Sequence, residues 1–82
     1  MIFYDEEHEE LFNKLCKKMP YLDGYHLSLA YLLTMDSVLR HHIGALYDVK
    51  KDVIIFEGLN KPFQTSTSLK TTRLAFNLWN GT

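Results

Sequence analysis

The sequence has little of what holds small secreted or membrane proteins together. Cys16 is the only cysteine among 82 residues, so no disulfide can form within the chain, whereas small secreted domains usually contain several. No stretch approaches the ~18 consecutive apolar residues of a membrane helix. The N-terminus lacks the basic start and apolar run of a signal peptide. We therefore expect a cytoplasmic protein that does not enter a membrane.

Strong net charge is also missing. The chain has a net charge of −1, and residues 1–10 carry five acids and no base, which leaves nine bases and five acids in residues 11–82, a net charge of +4. This surplus falls short of the strongly basic face of an autonomous DNA-binding domain. The whole chain is also too weakly acidic to mimic DNA.

Apolar and aromatic residues, in contrast, are plentiful. They make up 46% and 13% of the chain, which suffices for a hydrophobic core and argues against disorder. A chain of this length corresponds to one domain. We therefore predict a single helical domain over residues 1–82.

Aspartates mark the first two helices. Asp5 is a good N-cap for a helix that Pro20 ends, and apolar residues recur at helical spacing between them. Asp23 caps a second helix over residues 24–34, which is apolar nearly all round. Because a helix without a polar face belongs inside a bundle, we place the second helix at its centre.

The second half of the chain gives weaker signals. A third helix is predicted over residues 37–47. The β-branched run at residues 53–56 predicts an extended segment that packs on the bundle or pairs across a dimer. A last helix is predicted over residues 69–80, with one of residues 66–68 as its cap and Gly81 just after its end.

The predicted fold is mostly α. We expect a compact bundle of three to four helices with one extended or short-strand segment near residues 52–57. Trp79 is expected to be mostly buried against the second helix. The predicted core residues are Tyr31, Leu33, Ile43, Phe76, Leu78 and Trp79.

Histidine and cysteine residues form no familiar catalytic or metal-binding pattern. His41 and His42 are adjacent and would point about 100° apart on a helix, and neither a Cys-x-x-Cys nor a His-Glu-x-x-His spacing occurs. Cys16 lies on an apolar stripe and is expected to be an inert core thiol. His8 and His26 are expected inside the fold, each hydrogen-bonded to a neighbouring helix. We predict no metal, no cofactor and no catalytic residue, which favours a function other than catalysis.

A polar stretch before the last helix is the main candidate binding surface. Its polar side chains lead into a helix N-terminus, which attracts anions. The stretch is poor in helix formers although an apolar helix follows, and such local conflicts tend to mark functional sites. Helix capping and a solvated face explain the same residues without a ligand. The predicted binding residues are Gln64, Ser66, Lys70, Arg73 and Asn77. The bases that would extend this patch are Arg40, His41, Lys50 and Lys51.

Three segments carry a family resemblance. They are residues 3–12 with a His-Glu pair, residues 23–33 with an Asp-Gly-Tyr-His start, and residues 64–81 with an Arg-Leu-Ala-Phe-Asn-Leu-Trp-Asn-Gly string. Together they resemble a small uncharacterised family, a domain of unknown function encoded by phages and mobile elements of Gram-positive bacteria. The family brings no activity, cofactor or catalytic residue to transfer. The resemblance implies an accessory gene that modulates host machinery or host defence.

One function and two alternatives follow. We expect an accessory protein that binds a host protein stoichiometrically, with inhibition of a host defence system, as by an anti-CRISPR protein, as one form of this activity. The first alternative is a small nucleic-acid-associated protein that uses Lys70 and Arg73. The second is an enzyme or small-ligand binder with a histidine-lined pocket. The run at residues 53–56 also predicts a homodimer, because an uncovered strand edge recruits a partner.

Overall fold

The computed structural model describes residues 2–81. The first helix, α1 (Glu6–Lys18), begins and ends where its sequence signals predict. The Asp5 carboxylate accepts a hydrogen bond of 2.7 Å from the backbone N–H of His8. This bond satisfies one of the donors that a helix start leaves without an intrahelical partner.

The second helix, α2 (Gly24–Met35), lies at the centre of the fold, as predicted. Asp23 caps it through a bond of 2.9 Å from the backbone N–H of His26. The helix packs both on α1 and on the last helix of the chain. Leu29, Ala30 and Leu33 are fully buried as a result.

Residues 37–47 do not form the predicted third α-helix. Two short 3₁₀ turns, Leu39–His41 and Ile43–Ala45, take its place. Asp36 accepts bonds from two backbone N–H groups just after α2. The Arg40 guanidinium donates to the carbonyls of the last two residues of α2, Thr34 and Met35. These contacts fold the segment back onto α2. Its β-branched and glycine residues have low helix propensity, so a regular helix is not favoured there.

The extended segment is a strand whose partner lies within the chain. Strand β1 (Tyr47–Asp48) pairs antiparallel with strand β2 (Val53–Ile54), so that Tyr47 lies opposite Ile54. The short strand itself is confirmed, and pairing within the chain replaces the loop packed on the bundle, which was one of the two predicted arrangements. Asp52, in the turn between the strands, has a φ of 56°, a left-handed conformation that aspartate tolerates better than most residues.

The last helix, α3 (Ser66–Trp79), begins three residues earlier than predicted and follows a 3₁₀ turn, Phe56–Asn60. Its N-cap is Thr65, not one of residues 66–68. The Thr65 hydroxyl accepts from the backbone N–H of Ser68 at 3.0 Å, and the Ser68 hydroxyl accepts from the backbone N–H of Thr65 at 2.8 Å. This reciprocal pair is a capping box. Gly81 follows the end of the helix with a φ of 75°, as predicted.

The core contains most, but not all, of the predicted residues. Leu33 and Phe76 are buried, and Tyr31, Ile43 and Trp79 are partly buried against the core. Trp79 contacts α2 as predicted, with its ring centroid 4.7 Å from that of His26. Leu78 is wrongly predicted, because α3 turns its small residues inward and leaves this leucine on its outer side. The mostly α fold with one short-strand segment is confirmed.

Candidate protein-binding site

An apolar groove of about 450 Å³ lies between α2 and α3 on the outside of the fold. Leu27, Tyr31 and Leu32 line it from α2, while Leu74 and Leu78 line it from α3. The two α3 leucines are 50% and 39% exposed. A bound apolar surface would remove this area from water, and burial of apolar area lowers the free energy of the complex.

The outward side of α2 resembles an interface more than an ordinary surface. A helix at a protein surface usually has a charged face, yet α2 contains no Asp, Glu, Lys or Arg. Gly24, in its first turn, also lines the groove. A Cβ atom there would meet nothing within 4 Å, so the fold itself does not demand glycine. The missing side chain keeps this end of the groove open.

Four of the five predicted binding residues lie on the exposed outer side of α3, and we call this row the rim. Ser66, Lys70, Arg73 and Asn77 are exposed and recur at helical spacing along the outer side of α3. Lys70 lies one turn before Leu74 in the same row, so its ammonium group flanks the apolar floor. The rim has two charged side chains, Lys70 and Arg73, and both are positive. Neither α2 nor α3 contains an acidic residue.

The fifth predicted residue, Gln64, points into the fold. Its amide nitrogen donates to the carbonyl of Gly58 and to the Thr72 hydroxyl, both at 3.1 Å. Its amide oxygen accepts from the Ser68 hydroxyl at 2.7 Å. Ser68 and Thr72 are themselves fully buried. The weak helix formers that suggested a functional conflict therefore have a structural role, since they satisfy one another beneath α3.

Arg40 does not extend the basic patch, contrary to our prediction. Its side chain is 4% exposed and ion-pairs with Glu7 and with Asp5, the latter at 3.3 Å. The neighbouring guanidinium and the backbone N–H of His8 hold the pKa of Asp5 below its ordinary value, with the His8 bond as the larger cause. Arg40 therefore joins α1 to the end of α2. His41, Lys50 and Lys51 are exposed.

His26 is held between two carboxylates at the start of α2. Its Nδ1 lies 2.7 Å from Asp23 Oδ1 and its Nε2 lies 2.8 Å from Asp52 Oδ1. The Tyr47 hydroxyl donates to the same Asp52 oxygen at 2.6 Å. The predicted burial of His26 is correct, but its partner is the turn between β1 and β2 and not a neighbouring helix. Since α3 ends against this histidine through Trp79, the cluster fixes the relative position of the groove walls.

The charges around His26 favour its protonated form. Burial lowers the pKa of the imidazole, but the hydrogen bonds and negative charges of Asp23 and Asp52 outweigh burial and raise the pKa above its ordinary value. Burial, followed by the hydrogen bond to Asp52, raises the pKa of Tyr47 well beyond its usual range. An imidazolium donates through both nitrogens, which matches a carboxylate on each side.

His8 is fully buried and also uses both ring nitrogens. Nδ1 accepts from the backbone N–H of Tyr4 at 2.9 Å, and Nε2 lies 3.0 Å from the carbonyl of Tyr31 in α2. These bonds assign the neutral tautomer with its proton on Nε2, and they confirm the predicted bond to a neighbouring helix. In this arrangement neither His8 nor His26 presents a free nitrogen to a substrate, which a general base must do.

The other predicted chemistry-bearing groups lie apart. Within residues 2–81, no three His, Cys, Asp or Glu side chains converge as they would around a metal ion. Cys16 is half-buried against the core, and burial raises the pKa of its thiol above the ordinary value, as expected for an unreactive cysteine. None of the helices within that same range is both long and apolar enough to cross a membrane.

The groove itself is what sequence reasoning missed. Leu78 was assigned to the core because it shares an apolar helix face with Leu74, Ala75 and Trp79. The available signal was the absence of Asp, Glu, Lys and Arg from α2, since a central helix of a small bundle still has one side that two neighbours cannot cover.

Comparison with known proteins places the chain in a family without assigning it an activity. No curated protein matches it, and no solved structure does. The model of a family of unknown function, DUF6075, matches residues 1–82, and the chain belongs to this family.

Proposed function

We propose that the protein binds another protein stoichiometrically and that the α2–α3 groove receives an amphipathic helix of that partner. The observation that carries this proposal is the uncovered apolar groove, with exposed Leu74 and Leu78 beside a helix that has no Asp, Glu, Lys or Arg. A helix laid in such a groove inserts apolar side chains from one face, spaced three and four residues apart. Binding of this kind requires shape and apolar area but no catalytic group.

Charge specifies the chemistry of the partner helix. Lys70 and Arg73 lie on the rim, and neither α2 nor α3 carries a negative charge to neutralise them. A partner helix with Asp or Glu beside its apolar stripe would pair with this rim, and Arg73 is suited to bidentate pairing with a carboxylate. Complementary charge also speeds association and excludes basic competitors.

The sequence resemblance supplies the biological setting of the proposal. We propose that the gene belongs to a phage or mobile element of a Gram-positive bacterium and that the partner is a cytoplasmic host protein, such as a component of a defence system. Occupation of the partner's helix would then inhibit it by occlusion.

Paired helical peptides test the proposal directly. Both peptides carry the same apolar stripe, flanked by glutamates in one and by lysines in the other. We expect the glutamate peptide to bind more tightly and to shift the backbone amide NMR signals of Leu32, Leu74 and Leu78. Leu74→Ser with Leu78→Ser should weaken its binding at least about tenfold, a change of about 1.4 kcal/mol. The matched control is Leu22→Ser, at a leucine that is also exposed but lies outside the groove.

Charge reversal tests the rim. Lys70→Glu with Arg73→Glu should invert the preference between the peptides, whereas Lys50→Glu with Lys51→Glu should leave it unchanged. The same variants are then applied to any partner captured from host lysate and to protection by the gene in host cells. Equal binding of both peptides, or binding that the leucine changes do not weaken, would overturn the proposal. Duplex DNA binding that falls linearly with log salt and requires Lys70 and Arg73, without peptide binding, would support the nucleic-acid alternative instead.

A further inference from the structure

A second concave site lies away from the α2–α3 groove, between α1 and the segment that leads into β1. Its volume is about 300 Å³. Its apolar walls come from α1, from the second 3₁₀ turn, from β1 and from the residue after β1: Leu11, Leu15, Ile43, Tyr47 and Val49. Leu15 and Tyr47 belong to the buried core, so the floor of this pocket is part of the rigid interior.

Two lysines flank the apolar walls. Lys14 and Lys18 lie four residues apart on α1 and line the pocket with Leu11 and Leu15, all on one helical face. Among residues 2–81, neither ammonium group has an ion pair or a hydrogen bond to a side chain. Of the carboxylates at the other end of α1, Asp5 and Glu7 are engaged by Arg40.

The remaining polar groups around the pocket have partners. The Tyr47 hydroxyl donates to Asp52. Asp48, which precedes Val49, accepts from the backbone N–H groups of Lys50 and Lys51 at 3.1 Å. The groups of the pocket that remain without a partner are therefore the apolar side chains of its walls and the two ammonium groups at its edge. An amphiphilic anion complements both.

We propose that this pocket binds a small amphiphilic carboxylate, with the carboxylate between Lys14 and Lys18 and the apolar tail against Leu11, Ile43 and Val49. An eight-carbon fatty acid represents this class of ligand, since its tail would contact the apolar walls from both sides while its carboxylate reaches the lysines. So small a ligand binds in the millimolar to micromolar range.

Octanoate is the probe, with octanol and octylammonium as neutral and cationic counterparts of the same tail length. Methyl NMR of the wild-type protein should show saturable shifts at Leu11, Ile43 and Val49 with octanoate, weaker shifts with octanol and none with octylammonium. The wild-type measurement does not depend on how any variant folds.

Two variants locate the site, and each has a matched control. Lys14→Gln with Lys18→Gln removes the charges, and the control is Lys50→Gln with Lys51→Gln. Gly44→Leu fills the pocket mouth, because a Cβ atom there meets nothing within 4 Å; the control is Gly24→Leu, an equally open glycine in the α2–α3 groove.

We expect each pocket variant to weaken octanoate binding at least about tenfold and each control to leave it unchanged. Octylammonium binding as tightly as octanoate, or octanoate shifts that avoid these methyl groups, would overturn the proposal. So would equal losses in the pocket variants and their controls. Because Gly24→Leu and Gly44→Leu block different sites, this result is independent of peptide binding in the α2–α3 groove.

Discussion

Single buried charges hold the loops of this protein to its helices. Arg40 donates to two backbone carbonyls near the end of α2 and to carboxylates at the start of α1. Loss of this guanidinium would leave the carbonyls without their donor, which costs more than the bonds themselves contribute. Within residues 2–81, every buried side-chain nitrogen and oxygen has a hydrogen-bond partner. Arg40 and Gln64 therefore have a structural role in holding loops to helices.

His26 makes stability depend on pH. Because its pKa is raised in the folded state, folding binds a proton between the unfolded pKa of about 6.5 and the folded pKa. Its contribution to stability is fully present below about pH 6.5 and is lost as pH rises through the folded pKa. We expect the free energy of unfolding from urea titrations to fall over this window in the wild-type protein and to be nearly flat there in His26→Gln.

The control for His26 is another histidine in the same chain. His41 is exposed, so His41→Gln should keep the full pH dependence of the wild-type protein. Asp52→Asn, which leaves Nε2 a neutral partner, should reduce the dependence without abolishing it, since Asp23 remains. A His26→Gln protein whose stability still falls with the wild-type slope would show that the two carboxylates do not set this pKa.

At the scale of the element, local signals predicted local structure. The helices α1 and α2 were predicted nearly to the residue, because an aspartate cap followed by helical spacing lies within a few residues of the bond it makes. Residues 37–47 were wrongly predicted as a helix because the bonds that decide their path, from Arg40 to the end of α2, depend on the folded chain. The same limit applies to the strand at Val53, whose partner was not apparent from its own sequence.

The candidate site was predicted in part for the same reason. The outer row of α3, with Lys70 and Arg73, follows from helical spacing alone. Helical spacing does not show which leucines of α3 face the core, because Ser68 and Thr72 are buried in their place. The inward-facing hydroxyls of Ser68 and Thr72 are hydrogen-bonded to Gln64, and the sequence does not reveal the position of Gln64 in the fold.

The start of α3 gives a prediction for one element. The Thr65 hydroxyl accepts a hydrogen bond from the backbone N–H of Ser68 and so caps α3. Ser66, which was predicted as a possible cap, is exposed on the rim. We expect Thr65→Ala to lower the free energy of unfolding by about 1 kcal/mol, the usual cost of losing an N-cap. Ser66→Ala should change it by less than about 0.5 kcal/mol, as is typical of surface positions. Urea unfolding of the two variants distinguishes the caps, and equal losses would contradict the assignment.

For the whole molecule, the distribution of charge separates its surfaces. The acidic start of α1 is partly neutralised by Arg40, while the lysines of α1 and the rim of α3 keep their positive charge at two separate concavities. Both concavities are apolar at the floor. The proposed partners, an acidic helix and a small carboxylate, share a sign of charge but differ in size, so each is suited to one site.

The α2–α3 groove also bears on whether two copies of the chain form a homodimer. The acidic helix that would suit the groove is not free in a second copy, because α1 already buries His8, Phe12 and Leu15 in its own core. The strand edge that predicted a homodimer is paired on one side within the chain. We therefore expect light scattering at high micromolar concentration to give the mass of one chain.

A dimer would identify a different occupant of the groove, and variants can show it. If the wild-type protein were dimeric and Leu74→Ser with Leu78→Ser made it monomeric, a second copy would occupy the groove and the heterologous partner would have to compete with it. If Val53→Lys alone dissolved the dimer, the strand edge would be its interface, as the sequence predicted, and the groove would remain open to an acidic helix. A monomer in all three proteins leaves the groove uncovered in the free protein, which is the state that stoichiometric binding of another protein requires.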